Sequence, residues 1–518
     1  MRGFGMNRRK RFFVDGIMLT SVGIAVRGVA MLLAAYLSRA VGSESIGLYS
    51  IVMTVYSFAI TFATSGISLT VTRLTASLCS EGREDSVGSL VLASALYSSL
   101  FGLAATLLLS FGSEIISGNI LSAPDLAPSF RLLSLSLIPA SLSAVISGYF
   151  IGVKRVRGNA VTQVTTQLFR VFATLIFLWL VNDSEGVSAI IALCTAALLT
   201  EIVGFLMLLI LFLIDRRGEL KNRNAVGSYI PEIAKNTVPV SLSQYVRSAL
   251  VTLEHMLIPR RLIYRGEGRE EAYSHYGALH GMALPTVLFA MAPLTSFSGL
   301  LVAEFAEDKS PKGIARMSRI ASEALGMTLT YAVGVMMTVA LFSEELGYVI
   351  YGSHEVGRHI AILATVIPIM YIDHVTDSML KGIGEQVYSM WVNISDSLLS
   401  IILIWFLIPP LGIFGYALVI IIMEGYNFTL SFIRLRRKIP FTLSLFNSAL
   451  LPLLSASISA YLSKSLLAPS GSTSNTPMLV LKLLFSTALF VFFLTVSRLV
   501  GKAFKNRLKL QKTQHAPD

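Results

Sequence analysis

The residues of this chain that could do chemistry lie inside stretches apolar enough to cross a lipid bilayer. Arg27, Arg170, Glu201, Arg247, Glu254, Asp373, Asp377, Asp396 and Glu424 all interrupt such stretches. An ionisable group at the centre of a membrane helix costs about 2.5–3.5 kcal/mol on insertion scales, so each should face a cavity or a partner. Arg27 and Arg247 are the pair of most interest, because each falls near the middle of the first helix of one of two similar halves. Two guanidiniums facing one another across a water-filled cavity make a site for a dianion, since each fork can grip phosphate oxygens bidentately. The competing reading is a buried ion pair, Arg247 with Glu254 or Arg170 with Glu201. Arg27 has no acid nearby on its own helix.

Other polar groups allow two readings each. In "GYFIGVKRVRGNAVTQVTTQLFR", Gln163, Gln167 and Arg170 stand at i, i+4 and i+7 and share one helix face. That face is either polar packing within the first half or part of a substrate lining. Arg260 and Arg261, with Arg265 and Arg269, form either a charge run balanced by Glu267, Glu270 and Glu271 or a basic lip over an anion pathway. Asn393 and Asp396, three apart, together with Glu424 could hold sodium or carry a coupling proton. An interhelical polar network accounts for them equally well. His255, His280 and His374 stand singly in the sequence and read as helix-face residues. No zincin, Walker A or nucleophile-elbow motif is present, which argues against an enzyme, and no cofactor is implied beyond a coupling ion.

The elements that must position these groups are membrane helices. Of the 518 residues, 54% are hydrophobic and only 14% charged, with a mean hydropathy of +0.70, which a soluble domain does not reach. The basic start "MRGFGMNRRKRFF" runs into an apolar stretch too long for a cleaved signal and reads as a retained first span. Cutting at polar stretches predicts an all-α polytopic membrane protein of about fourteen helices. Their extents are 14–38, 45–67, 87–111, 130–151, 160–181, 187–213, 237–258, 277–302, 324–342, 358–380, 387–408, 411–433, 446–467 and 478–500. The net charge of +12 does not point to nucleic acid. Lys and Arg cluster in alternate loops, which the positive-inside rule converts into a cell-membrane protein with both termini cytoplasmic.

The pattern repeats. Ile138-Pro139 followed by "SGYFIG" and a helix ending "LIFLW" recurs as Ile367-Pro368, "DSMLKG" and "IILIW". The predicted organisation is therefore a lobe of helices 1–6 (1–214), a cytoplasmic linker (215–236), a lobe of helices 7–12 (237–433), and two extra helices with a basic tail (434–518). Nothing in it demands more than a monomer.

"GYFIG" with its basic turn and the Gln163–Gln167–Arg170 face resembles the polysaccharide-export branch of the multidrug/oligosaccharidyl-lipid/polysaccharide exporters. "GIAVRGVAMLLAAYLSRAVGSESIGLYSI", "LIPRRL" and "YGALHGMALP" resemble it too, and look most like the stage V sporulation protein B group, relatives of the lipid II flippases. The resemblance implies two six-helix lobes in a V around a cationic cavity, where arginines hold a lipid-linked pyrophosphate. Arg27 matches the first-helix arginine by position, and Arg247 is its second-lobe counterpart. Some of these flippases bind sodium through the seventh, eleventh and twelfth helices. The expectation is a flippase carrying a polyprenyl-pyrophosphate-linked sugar, such as a peptidoglycan precursor, from inner to outer leaflet. Its partners would be the lipid-linked glycan and the bilayer, and its coupling ion sodium or a proton. The alternatives are a cation-coupled multidrug exporter of the same fold and a non-transporting envelope or spore assembly factor.

Overall fold

The structure, a computed structural model, describes residues 8–514 apart from 65, 154, 156, 182–185, 216–225, 307–309 and 468–475. It describes the backbone alone at 8–25, 27, 31, 84, 157, 239–240, 296, 303, 311 and 500–514. The Arg27 side chain, the basic side chains of both termini and residues 216–225 of the predicted linker therefore lie outside the described residues.

Among the described residues there is no strand. The helices are α1 (Arg8–Thr64), α2 (Ile67–Ser80), α3 (Val87–Glu114), α4 (Ala127–Ser134), α5 (Leu137–Gly152), α6 (Arg157–Leu180), α7 (Gly186–Asp215) and α8 (Val226–Arg265). Then come α9 (Arg269–Tyr276), a π-helical turn at Gly277–Ala283, α10 (Leu284–Phe289), α11 (Ala292–Ala306), α12 (Pro311–Leu341), α13 (Ser343–Tyr351) and α14 (His354–Ala364). The chain closes with α15 (Ile367–Gly382), α16 (Gln386–Leu411), α17 (Ile413–Lys438), α18 (Leu451–Leu466) and α19 (Thr476–Gln514). Helix is the expected answer, because lipid offers no partners to backbone N–H and C=O groups.

Among the described residues, 9 helices are long and apolar enough to cross a membrane, or up to 12 if each bent pair is one span. The difference from the fourteen read off the sequence has two sources. One apolar segment, Gly28–Ser80, is 53 residues long and takes in the end of the first predicted span and the whole of the second. It turns at Gly42, whose φ of 79° and ψ of 168° suit glycine and no side-chain-bearing residue without strain. The other is α8, whose mean hydropathy is lowered by Arg247, Glu254, Arg260 and Arg261 and which is not among the spans found by length and composition.

The described residues gather into two compact units. One comprises Met1–Gly281 with Asn393–Val419, the other Met282–Val392 with Ile420–Asp518. In the first, α5 lies against α2 and α3, α6 against α7, and α1 against α8 and α9. In the second, α15 lies against α11 and α12, α13 against α14, and α18 against α19. The sequence repeat is visible inside the units. The pair α4–α5 bends by 40° and the pair α14–α15 by 55°, both at the isoleucine-proline junction.

Each unit also has a matching apolar core. Ile67, Leu90, Val145, Tyr149 and Phe212 come from α2, α3, α5 and α7. Phe305, Leu325, Val375, Met379 and Leu435 come from α11, α12, α15 and α17. Lipid is as apolar as these cores, so close approach through small residues has to supply the packing energy. A Cβ on Gly148 would lie 2.6 Å from the Ser68 carbonyl oxygen, and one on Gly382 would lie 2.6 Å from the Phe305 Cβ.

Candidate functional site

The intramembrane charges divide into paired and exposed groups. Arg170 on α6 meets Glu201 on α7 at 3.7 Å, the ion pair anticipated as an alternative to substrate lining. Gln163 on the same face is exposed and Gln167 half-buried. Just before that face, Asn159 reaches back across the basic turn and donates to Ser147 Oγ at 2.9 Å. Lys381 pairs with Asp377 at 2.6 Å.

Arg247 is exposed on α8, and no ion pair among the described residues involves it. The Arg247–Glu254 pair considered above is absent from them. Glu254 instead accepts a hydrogen bond from Ser400 Oγ on α16 at 2.5 Å, with Asp396 of the same helix acting on it electrostatically.

The two arginines of the basic outer run have different fates. Arg260 is exposed. Arg261 is only 9% exposed, because its guanidinium lies 4.0 Å over the Trp405 ring and 4.5 Å over that of Tyr264. It donates to the Trp405 carbonyl oxygen at 3.1 Å. A delocalised, weakly hydrated cation suits this aromatic clamp, which anchors α8 to α16. Asn393 and Asp396 are half-buried on α16 in the first unit, and Glu424 is half-buried on α17 in the second. Among the described residues, no group of three or more His, Cys, Asp or Glu side chains could hold a metal ion.

The main correction concerns the histidines, two of which do not stand alone. His255 of α8 and His280 of the π-helical turn face each other with ring centroids 4.3 Å apart. His255 Nδ1 lies 3.3 Å from the Tyr276 hydroxyl, and His280 Nδ1 lies 3.1 Å from the Tyr416 hydroxyl. Sequence reasoning missed the pair because its members are 25 residues apart on separate helical segments. The one available signal was the aromatic and histidine content of "YSHYGALHGMALP", where Tyr276 and His280 fall at i and i+4.

Residues 13–268 match the model of the family described as Polysaccharide biosynthesis protein. The N-terminal half of the chain is therefore similar to polysaccharide biosynthesis proteins. Stage V sporulation protein B of Bacillus subtilis (strain 168) is 22% identical over 427 residues, which is 80% of this chain and 81% of that one. The structure titled lipid II flippase MurJ, in an inward closed conformation, matches with a TM-score of 0.69 at 15% identity, over 93% of this chain and 98% of that one. An inward-facing multidrug resistance transporter of the MATE family matches with a TM-score of 0.66 at 14% identity, over 82% and 98%. The chain thus has the fold of membrane transporters and flippases. It is a multi-pass membrane protein.

Proposed function

We propose that the protein is a flippase that moves a polyprenyl-pyrophosphate-linked sugar, a peptidoglycan precursor such as lipid II, from the inner to the outer leaflet by alternating access. The observation that carries this reading is Arg247, an exposed guanidinium within the predicted seventh span that has no ion pair among the described residues. A cation so placed in a relative of polysaccharide exporters calls for an anionic cargo. A pyrophosphate offers two charged groups, and Arg27 on the first helix is the proposed second grip. Gln167 and Arg170 border the path, and Arg260 stands at its outer end. The lipid tail stays in the bilayer while the headgroup moves between the lobes.

Directionality comes from an ion or voltage gradient. Each charge moved across 100 mV is worth about 2.3 kcal/mol. Asn393, Asp396 and Glu424 are the proposed sodium or proton ligands. Both termini lie in the cytoplasm, and the protein acts as a monomer.

The test is binding of a polyprenyl-pyrophosphate-linked muropeptide to purified protein in nanodiscs, with Arg27→Ala and Arg247→Ala alongside. Binding lost in both variants is the expected result. Equal, weak binding by all three together with tight binding of a lipophilic cation would favour a cation-coupled drug exporter, a reading that Glu254 beside Asp396 keeps in play.

A further inference from the structure

His255 and His280 have no part in that reading, yet they belong to a connected chain of titratable groups. Tyr276 bonds to His255 and also stacks on the His280 ring with centroids 5.1 Å apart. Tyr416, at the start of α17, bonds to His280, and its ring stacks beside that of Tyr276 with centroids 6.4 Å apart. The cluster joins α8, α9, the π-helical turn and α17, and its four residues lie within the first unit.

The π-helical turn is seated firmly against α1. A Cβ on Gly277 would lie 2.2 Å from the Ser43 carbonyl oxygen, and one on Gly47 would lie 2.0 Å from that of Tyr273. The Ser43 and Ser274 hydroxyls are 2.6 Å apart at the same seam. π-helical turns are irregular, recur at functional sites and need such support. Both imidazoles are half-buried in the structure.

The hydrogen bonds define what a proton would do here. A neutral imidazole has one donor and one acceptor nitrogen, whereas an imidazolium has two donors. While Tyr276 donates to His255 Nδ1, the ring proton sits on Nε2. Protonation turns Nδ1 into a donor, and the Tyr276 hydroxyl must then accept and send its own proton elsewhere. Thr54 on α1 is within side-chain hydrogen-bonding reach of Tyr276. Its hydroxyl proton already goes to the Ser50 carbonyl oxygen at 2.8 Å, so the Thr54 oxygen is available to accept.

Two imidazolium rings at 4.3 Å would repel strongly away from bulk water, so the pair has room for one added proton. The other titratable groups facing the cluster are Glu254 of α8, which acts on Tyr276 and Tyr416, and Tyr273 of α9. Asp396 of α16 acts in turn on Glu254.

We infer that His255 and His280 form a one-proton binding site whose protonation swings Tyr276 from His255 to Thr54. Proton uptake is thereby tied to the packing of α1 against α8 and α9. The proton comes from water and returns to water, and only N–H and O–H bonds change. Its role in transport rests on the flippase reading, while the site itself does not.

The experiment follows imidazole NMR signals of isotopically labelled full-length protein in nanodiscs across the histidine titration range. Two rings that titrate as one coupled pair, taking up a single proton, are expected. His255→Gln or His280→Gln should leave the remaining ring titrating alone, and Tyr276→Phe should displace the coupled titration while keeping both rings. In parallel, polyprenyl pyrophosphate binding by the wild type should vary with pH by up to about tenfold per unit, the limit for one proton, and both His variants should displace that dependence along the pH axis. Independent titration of the two rings, or unchanged pH dependence in both variants, overturns the inference. If the wild type binds no polyprenyl pyrophosphate but the coupled titration persists, the flippase reading fails and the proton site stands.

Discussion

In the first half of the chain, Arg155, just beyond α5, donates to Asp215 at the end of α7, and the Tyr149 hydroxyl donates to the other carboxylate oxygen at 2.6 Å. In the second half, Glu385, just beyond α15, takes Arg434 and Lys438 of the last turns of α17, each at 2.7 Å. The two corners occupy matching places in the repeat and carry opposite charge. The α17 arrangement puts cations where a helix C-terminus favours them. The α7 arrangement puts a carboxylate there, against the helix dipole, and compensates with both an arginine and a tyrosine hydroxyl. The tie between loop and helix end recurs in both halves while the sign of its members does not, so a residue-by-residue comparison of the halves would score this shared feature as a mismatch.

The sharpest break between the halves is the α18–α19 hairpin, which follows only the second. Lys482 of α19, 1% exposed, holds both oxygens of Glu345 on α13 at 3.1 and 3.2 Å. Lys482→Ala strands a carboxylate and should cost about 3–5 kcal/mol, whereas Lys482→Met with Glu345→Gln should recover most of it. Thermal unfolding in detergent measures both, and a wild-type midpoint for Lys482→Ala would mean that the hairpin is anchored elsewhere. Next in size are Gly148→Val and Gly382→Val, which push a side chain into a neighbouring helix in each half and should each cost about 1–3 kcal/mol. Similar losses are expected if the repeat's packing is equivalent.

A polarity swap probes the corner itself. Arg155→Glu should lose about 1 kcal/mol, and adding Asp215→Arg, which gives the first corner the polarity of the second, should restore it in a double-mutant cycle.

The smallest effect is a pH dependence. Hydrogen bonds from Lys438 and Arg434 hold the Glu385 carboxyl below its ordinary value of 4.5. A carboxyl depressed in the folded state contributes fully above that ordinary value and loses its contribution as pH falls through the depressed one. Acid unfolding of the wild type should therefore steepen below about pH 4.5, in the range where exposed glutamates protonate. Glu385→Gln should flatten that part of the curve, and an identical curve for the variant would remove Glu385 from the account.

Much of this architecture is legible in the residues. The isoleucine-proline junctions mark the repeat and fall at two of the three bent pairs, and the Gly148–Gly152 spacing suits a close helix contact, since each property acts within a few residues along one helix. At α1 the polar stretch Ser43–Ser45 separates two predicted spans, yet the helix runs on through it with a kink at Gly42. The span count is less legible at α8, where charges dilute hydropathy without ending the helix. The candidate site was read less well. The Arg170–Glu201 pair joins neighbouring helices and was within reach of the sequence. The Ser400–Glu254 bond joins residues 146 apart, so Glu254 was assigned instead to the arginine on its own helix.

The sequence by itself determined that this is a helical, duplicated membrane protein with a biased distribution of charge. Apolar length, backbone satisfaction in lipid and loop charge are all local quantities. Only the tertiary structure decided which charges are quenched, that Arg261 is clamped by Trp405, and that His255 meets His280. Those outcomes depend on the rotation and axial register of each helix against its neighbours, which distant small residues and bends set through packing.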